Sequence, residues 1–188
     1  MASGSRYEDV LTVQSRTLVG RAALAGAALF IALTIDFVTK WLIVNIVMIP
    51  PHMIKITPFF NLVLGFNTGV SFGMFRELFV EQPLLLAAIM AAITAGLLVW
   101  AVRTTRRIET FALGLIAGGA AGNVVDRVRH GAVTDFLDLH VGDWHWPAFN
   151  MADVMITVGV VLLITGSLWP ARSTVSIAKA PGRSRFVG

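Results

Sequence analysis

Six of the eleven acidic residues in this 188-residue chain, Asp36, Asp126, Asp135, Asp138, Asp143 and Asp153, fall near the ends of apolar runs or between the last two runs. An ionisable side chain in such a place is costly, so it reads first as functional. Two carboxylates brought close cannot both ionise easily, and one of them keeps a proton. A water between such a pair can lose a proton to one carboxylate while the other protonates a carbonyl oxygen. That is peptide hydrolysis without a metal or a covalent intermediate. Asp135 and Asp153 are candidates for the pair, although each also reads as a helix cap. Asp153 stands three residues after Asn150, on one face of a helix start. Asp143, in Gly-Asp-Trp, reads as turn chemistry. Other chemistries are short of parts. The chain has no cysteine, which removes thiolate metal sites and a cysteine nucleophile. No pair among His52, His130, His140 and His145 has the spacing of a zinc protease, and there is no GxSxG elbow.

Asp36 and Lys40 are four apart and share a helix face. They read either as an intrahelical ion pair with Lys40 snorkelling to the interface, or as a polar patch that contacts substrate or lipid. Gly114, Gly118 and Gly122 recur every four residues, a spacing that lets another helix approach closely. Asn123 shares a face with Asp126 and Arg127, and Asp126-Arg127 reads as a salt bridge with a structural role.

These residues must be positioned by membrane-spanning elements. Hydrophobic residues make up 56% of the chain and charged ones 14%, against about 25% charged in an ordinary soluble domain. Mean hydropathy is +0.76. A soluble enzyme and a disordered or nucleic-acid-binding chain are excluded, the last despite a net charge of +4, because the apolar residues sit in long runs. A helical span needs about 20 apolar residues, and four are predicted, at 22–47, 84–102, 111–125 and 148–169. Ten of the fifteen basic residues lie before the first, between the second and third, or after the fourth. Both termini are therefore expected in the cytoplasm. The first span is too long for a cleavable signal peptide. Residues 1–20 read as a cytoplasmic leader, 21–169 as the membrane domain with outer loops 50–82 and 127–147, and 170–188 as a basic, disordered tail. Phe59 to Phe66 reads as extended and Asn67-Thr68-Gly69 as a turn, so a small sheet on the outer surface is expected.

Taken in order, five segments resemble one family, the bacterial lipoprotein signal peptidases (signal peptidase II). They are Asp36-Phe-Val-Thr-Lys40, Asn67-Thr-Gly-Val-Ser-Phe72, Gly118-Gly-Ala-Ala-Gly-Asn-Val-Val-Asp-Arg127, Val133-Thr-Asp-Phe136 and Phe149-Asn-Met-Ala-Asp153. Phe37, Ser71 and Met151 stand where Gln, Ala and Leu are frequent. The resemblance implies a mainly α membrane protein, four transmembrane helices with a small extracytoplasmic β-sheet cradle. It implies an aspartyl endopeptidase of the cytoplasmic membrane, with its active site near the outer face. Asp135 and Asp153 would be catalytic. Asp36, Lys40, Asn67, Gly69, Asn123, Arg127 and Asn150 would bind substrate or brace the site, and Asp126, Gly118 and Gly122 would be structural. The implied substrate is a diacylglyceryl-modified prolipoprotein cut just before its lipidated cysteine, in contact with membrane lipid and without nucleic acid, metal or other cofactor. Sensitivity to globomycin is implied as well. The rival readings are a small transporter, against which no internal repeat is evident, and a non-enzymatic assembly protein that uses the glycine stripe as a dimer seam.

Overall fold

The computed structural model describes residues 2–69 and 82–168, with side chains described from residue 14 onward except residue 16. The elements, in order, are α1 (Ala2–Leu42), β1 (Ile54–Thr57), β2 (Phe60–Asn67), α2 (Pro83–Arg103), α3 (Arg107–His130), β3 (Val133–Val141), β4 (Trp144–His145) and α4 (Met151–Leu168). Four helices are long and apolar enough to cross a membrane. The chain is a multi-pass membrane protein with a small antiparallel sheet.

Local sequence accounts for most of the boundaries. A π-helical turn, Ile43–Val47, follows α1, and the chain leaves the helix at Met48 ahead of Pro50-Pro51. Pro83 opens α2 from its first position, where a missing N–H costs nothing. Gly131 closes α3 in the left-handed region at φ 74°, donating its N–H to the Arg127 carbonyl. Gly142, at φ 59°, forms the turn between β3 and β4 together with Asp143, as Gly-Asp-Trp predicts.

α3 is the central helix. In its most apolar window 67% of residues are buried, against 22% or less in each other span. The glycine stripe explains how. A Cβ placed on Gly114 would stand 2.6 Å from the Ala25 carbonyl oxygen, and one on Gly118 would stand 2.5 Å from that of Leu29. The stripe is thus the seam between α1 and α3 within one chain, and Gly122 continues it against the Asp36 carboxylate. Ala28, Ala32 and Leu115 pack there with Phe111, Met155 and Leu162.

The sheet runs β1-β2-β3-β4, every neighbour antiparallel. β2 and β3 pair Leu62 with Leu137 and then Gly65 with Asp135, so β2 carries one extra residue beside Asp135. Ile43, Met48 and Phe136 form the core that seats the sheet on the helix ends, with Ile54, Leu62 and Met151 around them.

Several expectations need correction. The chain is helical from Ala2, and this helix continues without a break into the first apolar span, which begins at Thr17. The third span extends beyond 111–125, to Arg107–His130. The fourth begins at Met151, because Phe149 is hydrogen-bonded in both directions to Leu137 of β3. The stretch 127–147 is not a loop but the end of α3 followed by β3 and β4. The expected tail 170–188, Ser71 and residues 70–81 of the expected outer loop 50–82 lie outside the described residues.

Candidate active site

Asp135 sits on β3, opposite Gly65 at the irregular step of β2, and is 5% exposed. The backbone then brings it a partner. Phe136 and Leu137 donate their N–H groups to the Phe149 carbonyl, and Phe149 donates to Leu137. This strap fixes the residue after Phe149, and Asn150 donates from Nδ2 to Asp135 Oδ1 at 2.7 Å. Asn150 also starts α4. Its backbone N–H donates to Asp153 Oδ2 at 3.2 Å, and the Asp153 N–H donates to Asn150 Oδ1 at 3.1 Å. That reciprocal arrangement is a capping box. The cap reading of Asp153 is therefore correct, and it coexists with membership of the site: one asparagine holds both carboxylates.

Asn123, on α3, ties the second carboxylate to the protein interior. Its Nδ2 donates to Asp153 Oδ1 at 3.1 Å, and its Oδ1 accepts from Asn150 Nδ2 at 3.2 Å and from Lys40 Nζ at 3.1 Å. Arg127 donates through Nη1 to the Asn123 carbonyl and through Nη2 to the Gly69 carbonyl, which pins the turn after β2 to α3. Asn67 forms that turn, accepting from the Gly69 N–H at 2.9 Å. A cavity of about 200 Å³ is lined by Asn67, Asn123, Arg127, Asp135, Phe149 and Asp153, with Met90, Ile156 and Thr157 as its apolar wall.

Burial pushes the Asp135 carboxyl up to about 6, and the neighbouring Asp153 charge pushes the same way. Hydrogen bonds from Asn150 and Asn67, with the more distant Lys40 charge, oppose it.

Behind this layer lies a buried charge cluster. Lys40 Nζ reaches Asp36 Oδ2 at 2.7 Å and Asp126 Oδ2 at 3.0 Å. Asp36 Oδ1 accepts the Ala152 N–H at 2.9 Å, so α1 holds the start of α4. Two readings change. Lys40 is 6% exposed and does not snorkel. Asp126 pairs with Lys40 and accepts the Thr134 N–H at 3.1 Å, not Arg127. Adjacent helical residues point about 100° apart, which is why Asp126 and Arg127 reach different partners around α3.

The sequence reading leaves out the apolar wall. Ile156 and Thr157 follow Asp153 at helical spacings of three and four, a signal for a shared face, whereas nothing local marks Met90. Asp138 is also apart from the site: it accepts from Asn61 at 2.9 Å and contacts His145 at 2.9 Å on the far reach of the sheet.

The fold and the cavity define a polytopic membrane protein that holds two carboxylates together at the junction of its helices and a capping sheet. Residues 28–169 match the family model for signal peptidase (SPase) II. The chain belongs to the signal peptidase II family, a family of peptidases. It is 41% identical over 157 residues to a lipoprotein signal peptidase of Rhodopseudomonas palustris, covering 81% of this chain and 94% of the relative. It is 43% identical over 145 residues to one of Methylorubrum extorquens, covering 77% and 85%. The solved structure of a bacterial membrane enzyme superposes with a TM-score of 0.66 at 26% identity, over 85% of this chain and 94% of that one.

Proposed function

We propose that this protein removes the signal peptide from diacylglyceryl-modified prolipoproteins, cutting just before the lipidated cysteine with Asp135 and Asp153 as the catalytic pair. The observation that carries this reading is Asn150, which hydrogen-bonds both carboxylates at one cavity. A water between them adds its oxygen to the scissile carbonyl carbon. Its proton passes to Asp153, while Asp135, whose carboxyl burial raises to about 6, donates to the carbonyl oxygen. Collapse of the tetrahedral diol breaks the C–N bond. Asp153 returns its proton to the leaving amine, and Asp135 recovers its own from the diol hydroxyl, so both start the next cycle as before. Asn67, Asn123 and Arg127 fix the geometry, and no metal or other cofactor takes part. The sheet and cavity face the extracytoplasmic side, with both termini in the cytoplasm, so the substrate meets the site from the outer leaflet. A globomycin-type cyclic lipopeptide occupies the same cavity.

The test is cleavage of a lipobox peptide by purified protein, with and without diacylglyceryl on the cysteine, in the presence of EDTA. The lipidated peptide should be cut before its cysteine, the unlipidated one should not, and Asp135→Asn and Asp153→Asn should each be inactive while folded. Activity that disappears in EDTA and returns with zinc would refute the two-aspartate mechanism.

A further inference from the structure

A second cavity, of about 460 Å³, opens on the opposite side of α3, between α1 and α3. One wall is a stripe of α1 and the π-helical turn after it: Leu33, Phe37, Trp41 and Val44, with Phe37 and Trp41 about half exposed. At 1.5 Å per residue this stripe runs for roughly 16 Å, about one leaflet of hydrocarbon. The outer end is polar. Asp126 lines it with a side chain 13% exposed. Its Oδ2 is engaged by Lys40 and the Thr134 N–H, while its Oδ1 has no donor among the described residues. Three residues on, Arg129 lines the same opening, is exposed and forms no ion pair among the described residues.

The geometry points to a binding site for a bilayer phospholipid with a primary-amine headgroup. A carboxylate oxygen and a guanidinium lie three apart on one helix, so they share a face. Together they complement a headgroup that carries an ammonium and a phosphate. The ammonium donates to Asp126 Oδ1, Arg129 clamps the phosphate oxygens, and one acyl chain runs inward from there along Phe37 and Leu33, with Trp41 and Val44 flanking the headgroup. Charge complementarity selects this occupant. A purely anionic headgroup would leave the carboxylate facing phosphate, and a quaternary choline has no N–H to donate. The site is separated from the Asp135–Asp153 cavity by α3 and the Lys40 cluster, so a lipid here is not the lipid of a substrate.

Native mass spectrometry of the full-length protein, titrated with phosphatidylethanolamine, phosphatidylcholine or phosphatidylglycerol, tests this. Wild type should keep the ethanolamine lipid about tenfold better than the other two. Arg129→Gln should erase that preference, and Val125→Trp, which fills the groove from α3 without altering a charge, should remove the adduct altogether. Equal retention of the ethanolamine and choline lipids, a preference for the glycerol lipid, or an unchanged preference in Arg129→Gln would each overturn the proposal. Lipid adduct mass is read without peptide cleavage, so failure here and failure of the proposed peptidase reaction are separate results.

Discussion

Asp135 is expensive to bury, and that expense is measurable apart from catalysis. Its carboxyl is raised from the ordinary 3.8 to about 6, first by burial and then by Asp153. Between about pH 4 and 6 the folded chain holds a proton that the unfolded chain has released, so stability falls as pH rises through that window. Above it the loss is complete, on the order of 2–3 kcal/mol at 1.4 kcal/mol per pKa unit. Asp135→Asn keeps the acceptor that Asn150 needs and carries no charge. It should therefore unfold at a higher temperature than wild type at pH 7.5, with the difference vanishing below pH 4. Thermal scans in detergent across that range check it, and a variant less stable at pH 7.5 would contradict the assignment. The same titration governs activity. If Asp135 supplies the proton, kcat/KM falls as the pH rises through the carboxyl's pKa, although the measured limb belongs to the coupled pair. Asn67 lowers that pKa by its hydrogen bond, so Asn67→Ala should move the alkaline limb upward while lowering the peak rate. An alkaline limb unmoved by that change would mean that the proton sits elsewhere.

Two contacts set the arrangement of the elements. The α1–α3 seam closes on glycines, and Gly118→Leu would drive a side chain into the Leu29 backbone and Ala32. Overpacking of this kind costs 1–3 kcal/mol or more, so folded yield should collapse. Gly96→Leu, on α2 with nothing within 4 Å, should be neutral. Size-exclusion profiles of the two variants make the comparison. Asp126 joins three elements through Lys40 of α1 and the Thr134 N–H of β3. Asp126→Asn should lower the unfolding temperature, since it leaves the buried ammonium with Asp36 as its remaining carboxylate. Because Asp36 still pairs with that ammonium, the loss should be smaller than the about 3–5 kcal/mol of a buried pair broken outright. The helices are legible because hydrophobic length alone announces them, and β2 because extended residues sit between turn signals. β3 is not legible as a strand. Val133, Thr134, Asp135 and Phe136 are all buried, so the alternation that marks a half-exposed strand is missing where the site begins. The start of α4 is misread for a tertiary reason, since β3 claims Phe149 before the helix can.

For the whole molecule, the proposed orientation rests on where the arginines lie. Arg103, Arg106 and Arg107 stand at or in the turn between α2 and α3, and four basic residues follow α4, so in the proposed orientation the sheet lies on the other side. The chain has no cysteine, so single ones report without background. In intact cells Met53→Cys, half exposed ahead of β1, should react with an impermeant maleimide, and Ser173→Cys should react only after lysis. Labelling of Ser173→Cys from outside would invert the topology. The family match spans residues 28–169 and takes in the sheet, α2, α3, α4 and the later part of α1, so cavity and scaffold are matched together. The carboxylates themselves are legible as residues out of place. Their meeting is not, because it depends on Phe149 being strapped to a strand that the sequence does not announce.

The burial of α3 bears on how the protein is made. Its most apolar stretch has a hydropathy of 1.4, against 2.0 or more in the other three spans. Glu109, Asn123 and the glycines Gly114, Gly118, Gly119 and Gly122 lower it, and Asp126 and Arg127 follow near the helix end. A charged residue at the centre of a lone helix costs about 2.5–3.5 kcal/mol on leaving the translocon, less near its ends. As a nascent segment facing lipid, α3 is thus the weakest of the four insertion signals. The short arginine-rich turn behind it lets α2 and α3 enter as a helical hairpin, and α1 is already in place to receive the glycine face. Retention of the third span in the bilayer and assembly of the carboxylate cavity are therefore one event during biogenesis, completed when α4 emerges and Asp153 reaches Asn123.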